Sequence, residues 1–273
     1  MVHKRLMEPP GILPKRAPAC YSGPGRLKLY GVNVLLHMFL LLCGPCTILN
    51  SMNLPHQTQQ VVLVTTPSWD SQTGTLQVFK RAHGAWVPAE APISVNVGRG
   101  GLGWGAGLQA DVTGGPQKME GDGRAPAGIF KLESVFGYGA TAPTGSRLPY
   151  RSLGETDFWD SDSASKQYNQ LVTLSDADAQ HPESIWSSYE KMRRSDDLYE
   201  FGMIVGYNRN PAVGGKGSAI FLHVWRGSGS PTSGCTSMPR ESLLSLIGWL
   251  DPAKHPLLIQ APAAELDKIR FSK

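Results

Sequence analysis

Two residues twelve positions apart could carry out nucleophilic chemistry. In SAIFLHVWRGSGSPTSGCTSM, residues 218–238, His223 interrupts an apolar run and Cys235 follows a glycine. A thiol attacks a carbonyl carbon as its thiolate, and an imidazole is the usual group to take the proton near neutral pH. Alternation along a strand puts Phe221, His223 and Trp225 on one face, and the turn-rich RGSGSPTSG from Arg226 can return Cys235 alongside. Gly234 lets backbone approach a substrate closely. Backbone N–H groups near Gly234 and Cys235, with the Ser233 hydroxyl, could hold an oxyanion.

Each residue also has an ordinary account. A strand histidine is often satisfied by a backbone carbonyl, and a lone cysteine is often a small buried hydrophobe. The pair together favours a nucleophile and its base. No other Cys or His has metal-ligand spacing, so neither a metal nor another cofactor is expected.

These residues need elements to hold them. The runs 61–66, 75–81, 86–98, 129–139, 201–208, 218–226 and 256–262 are rich in β-branched and aromatic residues and bounded by turn formers, which predicts strands. After Cys235, PRESLLSLIGWLD repeats Leu243, Leu244, Ile247 and Leu250 at helical spacing, with Pro239 suited to a first turn. Cys235 is thereby expected just ahead of a helix, whose partial positive charge would favour a thiolate. Residues 100–128 read as a glycine-rich ordered loop region, and 141–197 as a long polar excursion anchored by aromatics such as Tyr150, Trp159, Tyr168, Trp186 and Tyr189. The expectation is one mainly-β domain over residues 60–262, followed by a tail over 263–273.

The N-terminal region has a different character. Residues 1–50 hold six Lys or Arg against Glu8, whereas the rest carries 20 basic and 21 acidic residues. A balanced body has no basic surface for phosphates, which excludes nucleic acid as an expected partner. RLKLYGVNVLLHMFLLLCGPC from Arg26 sets two cations before an apolar run, the order of an export signal. Residues 26–50 are therefore expected to be a signal peptide or a retained membrane anchor. Residues 1–25 would be a disordered extension and 51–59 a linker. Cleavage between about 46 and 58 would remove Cys20, Cys43 and Cys46 and leave Cys235 as the one remaining thiol.

At these residues the chain resembles the L,D-transpeptidase catalytic domain family, also called YkuD or ErfK. FLHVWRG supplies the strand histidine of that family's motif at His223, and TSGCT supplies its Gly-Cys at Gly234 and Cys235. Upstream, EGDGRAPAGIF (120–130) is similar to the Gly-Asp segment that precedes a strand in many members. The resemblance implies a β-sandwich-like domain with one helix after the catalytic cysteine and long ordered loops. It also implies a bacterial protein exported to the periplasm or cell envelope that acts on peptidoglycan stem peptides through a thioester. The acceptor would be an amine of a second stem peptide or of a wall-attached protein. With water as acceptor the activity would be that of an L,D-carboxypeptidase or amidase, and with an idle thiol the domain would only bind peptidoglycan. Ser233 stands where the family usually has histidine, and TSM (236–238) where arginine or asparagine commonly follows the cysteine. Arg124, Trp225 and Arg226 are the candidate substrate contacts, the arginines for a carboxylate.

Overall fold

The computed structural model describes residues 44–272, so the expected N-terminal extension (1–25) and most of the expected leader (26–50) lie outside the described residues. The described part begins with helix α1 (Pro45–Ser51), which has proline in its first turn, where a missing N–H costs nothing. Strands β1 (Gln60–Thr66), β2 (Thr73–Ala82), β3 (Ala85–Pro88), β4 (Ile93–Asn96) and β5 (Leu102–Trp104) follow. The run expected as one strand over 86–98 is split in two. Pro88 and Pro92 bound the break, and proline cannot donate to a ladder. The long β6 (Ala125–Gly137) comes next, then β7 (Tyr150–Ser152), β8 (Asp157–Asp160), β9 (Gln170–Thr173) and β10 (Tyr189–Lys191) within the polar excursion. The chain continues through β11 (Phe201–Val205), β12 (Phe221–Val224), β13 (Thr236–Met238), helix α2 (Arg240–Trp249) and β14 (Leu257–Pro262).

The domain is mainly β, as expected, and its sandwich-like main sheet closes on itself. Neighbours run β1-β14-β6-β11-β12-β13-β4-β2, and β2 pairs back onto β1. Closure removes most of the free edge that would otherwise template aggregation. The central strand β1 reads VVLVT and is buried along nearly its whole length, because it is covered on both faces. One core fills the interior, with Val62, Phe130, Leu222, Met238, Ile247 and Ile259 among its members. Three core-facing residues of α2, Leu243, Leu246 and Ile247, are buried there, each worth about 1.5–3 kcal/mol of transfer free energy.

A second sheet, β10-β8-β9, is built from the polar excursion. It covers the outer face of β6, β11 and β12. There Phe136, Trp159, Tyr199, Phe221 and Cys235 form a smaller apolar cluster. Trp159 of the small sheet meets Phe221 edge-on at 4.9 Å between centroids.

Both flanks of the expected domain are packed. Leu49, Met52 and Leu54 are buried, so residues 51–59, expected as a linker, start the fold. Leu266 and Ile269 are buried as well, and the Phe271 N–H donates to the Met52 carbonyl at 3.0 Å, so 263–272 is no loose tail. In a short run such as ILNSMNL the apolar residues are interspersed with Asn and Ser, and only the tertiary partner gives them a face. Among the described residues no helix is long and apolar enough to cross a membrane.

Candidate active site

Strands β12 and β13 are parallel neighbours, with Leu222 opposite Thr236 and His223 opposite Ser237. The same register sets Phe221 level with Cys235. Alternation then separates the faces: Leu222, Val224 and Met238 enter the core, whereas Phe221 and Cys235 belong to the outer cluster, with His223 and Ser237 on that same side. His223 and Cys235 are diagonal neighbours on one face, about 8 Å apart at their Cα atoms by ordinary strand spacing. Both line a cavity of about 550 Å³, with Ser233, Gly234, Ser237 and Arg226 also in its wall.

The turn that returns Cys235 is tied down by Thr232, which the sequence reading did not single out. Its hydroxyl donates to the Cys235 carbonyl at 2.7 Å and accepts the Gly234 N–H at 3.1 Å. Backbone bonds from Arg99 N–H to the Thr232 carbonyl and from Thr232 N–H to the Val97 carbonyl fasten the turn to the glycine-rich loop. That loop packs backbone against backbone. A Cβ on Gly98 would lie 2.2 Å from the Gly123 carbonyl oxygen, and one on Gly101, at φ +77°, would lie 1.9 Å from that of Trp69. The Gly234 N–H is thus already engaged by Thr232, leaving its expected oxyanion role without a free donor in this state. Ser233 is exposed at the cavity rim.

The thiol and the imidazole each hold a definite hydrogen bond. Cys235 Sγ donates to the Ala219 carbonyl and accepts the Phe221 N–H, both at 3.3 Å. His223 Nδ1 lies 2.7 Å from the Val224 carbonyl. A carbonyl only accepts, so Nδ1 carries the proton and the lone pair is on Nε2. Burial pushes His223 down to about 4, against the raising effect of the Val224 carbonyl. Burial also pushes the Cys235 thiol up to about 12; the Glu190 charge adds to this and the Phe221 N–H opposes it. At neutral pH the pair therefore rests as thiol and neutral imidazole.

The position expected for Cys235 at a helix N-terminus is not what forms. Strand β13 intervenes, and α2 starts only at Arg240, beyond Pro239. The helix field fades within its own first turn, which fits a thiol pKa that rises rather than falls. Sequence periodicity missed β13 because three residues, TSM, are too short a run to show alternation.

Arg124 is not in the cavity wall. Its guanidinium donates to the Leu102 carbonyl and to Asp70, both at 2.8 Å, clamping the glycine loop to the turn before β2. Trp225 falls just past the end of β12, where its N–H donates to the Met238 carbonyl, and its side chain is absent from the lining. Arg226 does reach the cavity and makes a loose pair with Asp196 at 3.6 Å. The structure adds residues from the polar excursion and its end: Glu190 on β10, Arg194, and Tyr199 ahead of β11. The Tyr199 ring meets that of His223 edge-on at 5.3 Å. No spacing motif marks these three, because they converge through the fold of the small sheet.

Among solved structures, the helical cell shape determining protein Pgp2 from Campylobacter jejuni aligns with 15% identity and a TM-score of 0.38. The alignment covers 83% of this chain and 54% of that one, so the chain spans about half the length of that protein. A search of curated proteins returns no significant match. The sequence model of the L,D-transpeptidase catalytic domain, YkuD, matches residues 72–259, a span that holds the glycine loop, both sheets and the strands bearing His223 and Cys235. With more than half of its length matched, the chain belongs to the L,D-transpeptidase catalytic domain (YkuD) family.

Proposed function

We propose that the protein is an exported L,D-transpeptidase that acts on peptidoglycan stem peptides through a thioester on Cys235, with His223 as base. One observation carries this reading: thiol and imidazole face the same cavity from one face of parallel strands, and the Val224 carbonyl leaves Nε2 as the free basic nitrogen. With the resting pair neutral, attack is coupled to proton transfer. Sγ leaves the Ala219 carbonyl and adds to the donor's carbonyl carbon while its proton passes to Nε2. The proton then goes to the leaving amine as the C–N bond breaks. An acceptor amine of a second stem peptide or a wall-attached protein resolves the thioester, so two easier steps replace one difficult one.

The test is intact-mass detection of the acyl-enzyme with a defined tetrapeptide, followed by product analysis with and without an acceptor amine. Cys235→Ala should form no adduct. His223→Ala should lose at least roughly a hundredfold in acylation at neutral pH and recover part of it in alkali, where the thiol ionises unaided. Full adduct formation by Cys235→Ala would end the proposal.

The S–H bond to Ala219 and the high thiol pKa favour a second reading, a peptidoglycan-binding domain with an idle thiol. Iodoacetamide or a carbapenem separates the two: an idle thiol reacts no faster than free cysteine even after a stem peptide is added. Export is supported by the apolar run that follows Arg26 and Lys28. A reporter joined after Gln60, beyond the expected cleavage region, should appear outside the cytoplasm, and its retention inside would count against the compartment.

A further inference from the structure

Glu190 stands in the cavity wall that also holds the thiol. Its Oε1 accepts from the Tyr199 hydroxyl at 2.8 Å and from Arg194 at 3.2 Å. The two-pronged contact of Arg194 goes instead to Asp196, at 2.8 and 3.0 Å, so that cation is largely matched by another carboxylate. Glu190 Oε2 has no hydrogen-bond partner among the described residues, and the side chain is 30% accessible. Tyr199 links this carboxylate to the chemistry, since its ring touches His223 and packs in the cluster that holds Cys235. Carboxylate, phenol, imidazole and thiol therefore all line the same cavity.

Burial raises the Glu190 carboxyl above the usual carboxylate range, opposed by the Tyr199 hydroxyl and Arg194, and its charged form does nothing for the nucleophile, because it makes the thiolate harder to form. What it favours is an arriving cation. Primary alkyl amines are mostly ammonium at neutral pH, and an ammonium group desolvated in a cavity needs a carboxylate.

We propose that Glu190 selects the acyl acceptor, its carboxylate holding the ammonium group of an incoming primary amine against the thioester on Cys235 and so favouring aminolysis over hydrolysis. This rests on the acyl-enzyme reading above. In the step, the bound ammonium releases one proton to water, and the amine nitrogen attacks the thioester carbonyl while His223 Nε2 takes the second proton and passes it to the departing sulfur. The N–C bond forms and the C–S bond breaks. Of the two protons the ammonium gives up, one restores the thiol and the other leaves to water. Glu190 is a positioning residue for the acceptor, and His223 remains the base.

The experiment uses the full chain acylated by a defined tetrapeptide and measures the ratio of amide to hydrolysis product. Two acceptors are compared: glycinamide, largely cationic at neutral pH, and hydroxylamine, uncharged there. Glu190→Gln should lower the glycinamide ratio roughly tenfold, the scale of one lost charge-assisted contact, and leave the hydroxylamine ratio unchanged. Glu190→Asp, which keeps the charge, should restore part of the glycinamide ratio and covers the case in which the glutamine variant fails to fold. An unchanged glycinamide ratio, or equal losses with both acceptors, overturns the inference while the acyl-enzyme stands. Absence of any acyl-enzyme in the wild type overturns the thioester reading and this inference with it.

Discussion

His223 is held neutral by its surroundings, and that has a cost in acid. Its pKa in the fold, about 4, is below the 6.5 of an exposed imidazole, so between these values the unfolded chain binds a proton that the folded chain does not. Stability from this group is complete above pH 6.5, falls as the pH drops, and is fully lost near pH 4. The expected loss is about 3 kcal/mol. Urea titrations across that window should show a steeper decline for the wild type than for His223→Gln, which cannot protonate. Equal slopes would mean that the imidazole is more solvated than its 6% exposure implies. The residue types at the site were legible in the sequence, since a strand histidine and a Gly-Cys turn bear their chemistry on their faces. Their charge states were not. The high thiol pKa comes from burial under the small sheet and from Glu190, and neither is visible in GCTSM. Arg124 shows the converse, an arginine in a motif whose guanidinium is used up holding loops.

Among the elements, the small sheet β8-β9-β10 determines how the thiol is presented. Asn169 pins it. Its side-chain oxygen accepts from Trp159 Nε1 at 2.9 Å and from the Ala219 N–H at 3.2 Å, and its amide donates to the carbonyls of Tyr207 and Asn208 at 2.9 and 2.8 Å. Ala219, at φ +54°, is the residue whose carbonyl accepts the thiol proton, so the pin reaches the nucleophile through one residue. Asn169→Ala strands four partners, three of them in buried bonds, and should cost about 3 kcal/mol or more, read as a lower denaturant midpoint. It should also speed alkylation of Cys235 by iodoacetamide, because the strand start that holds the S–H bond is loosened. Lower stability with unchanged alkylation would separate the small sheet from the thiol. The strands of the main sheet could be read from their β-branched runs, whereas β8, β9 and β10 lie in a polar stretch whose alternation is masked by Asp and Ser. Only the aromatic anchors betrayed an ordered excursion, and Trp159 does become the contact with Phe221.

For the whole molecule, the first and last strands of the closed sheet lie side by side. β1 and β14 are parallel and paired over six rungs, from Val61 with Leu257 to Thr66 with Pro262. The chain enters β1 at one end of this ladder and leaves β14 at the other. A pull that separates the two ends of the domain therefore slides one strand along the other and loads all six rungs together, instead of peeling them one at a time. Residues 44–59 and 263–272 should detach first at low force, after which the ladder bears the tension as a mechanical clamp. Stretching between handles placed before residue 45 and after residue 272 should need a clearly higher rupture force than stretching between handles on Leu76 and Ala89, which unzips the β2–β3 hairpin from its open end. Equal forces in the two geometries would show that tension bypasses the β1–β14 pair. A pull on the two ends would in this way leave the thiol cavity assembled under load, since β12 and β13 lie on the far side of the ring from the strands that bear the strain.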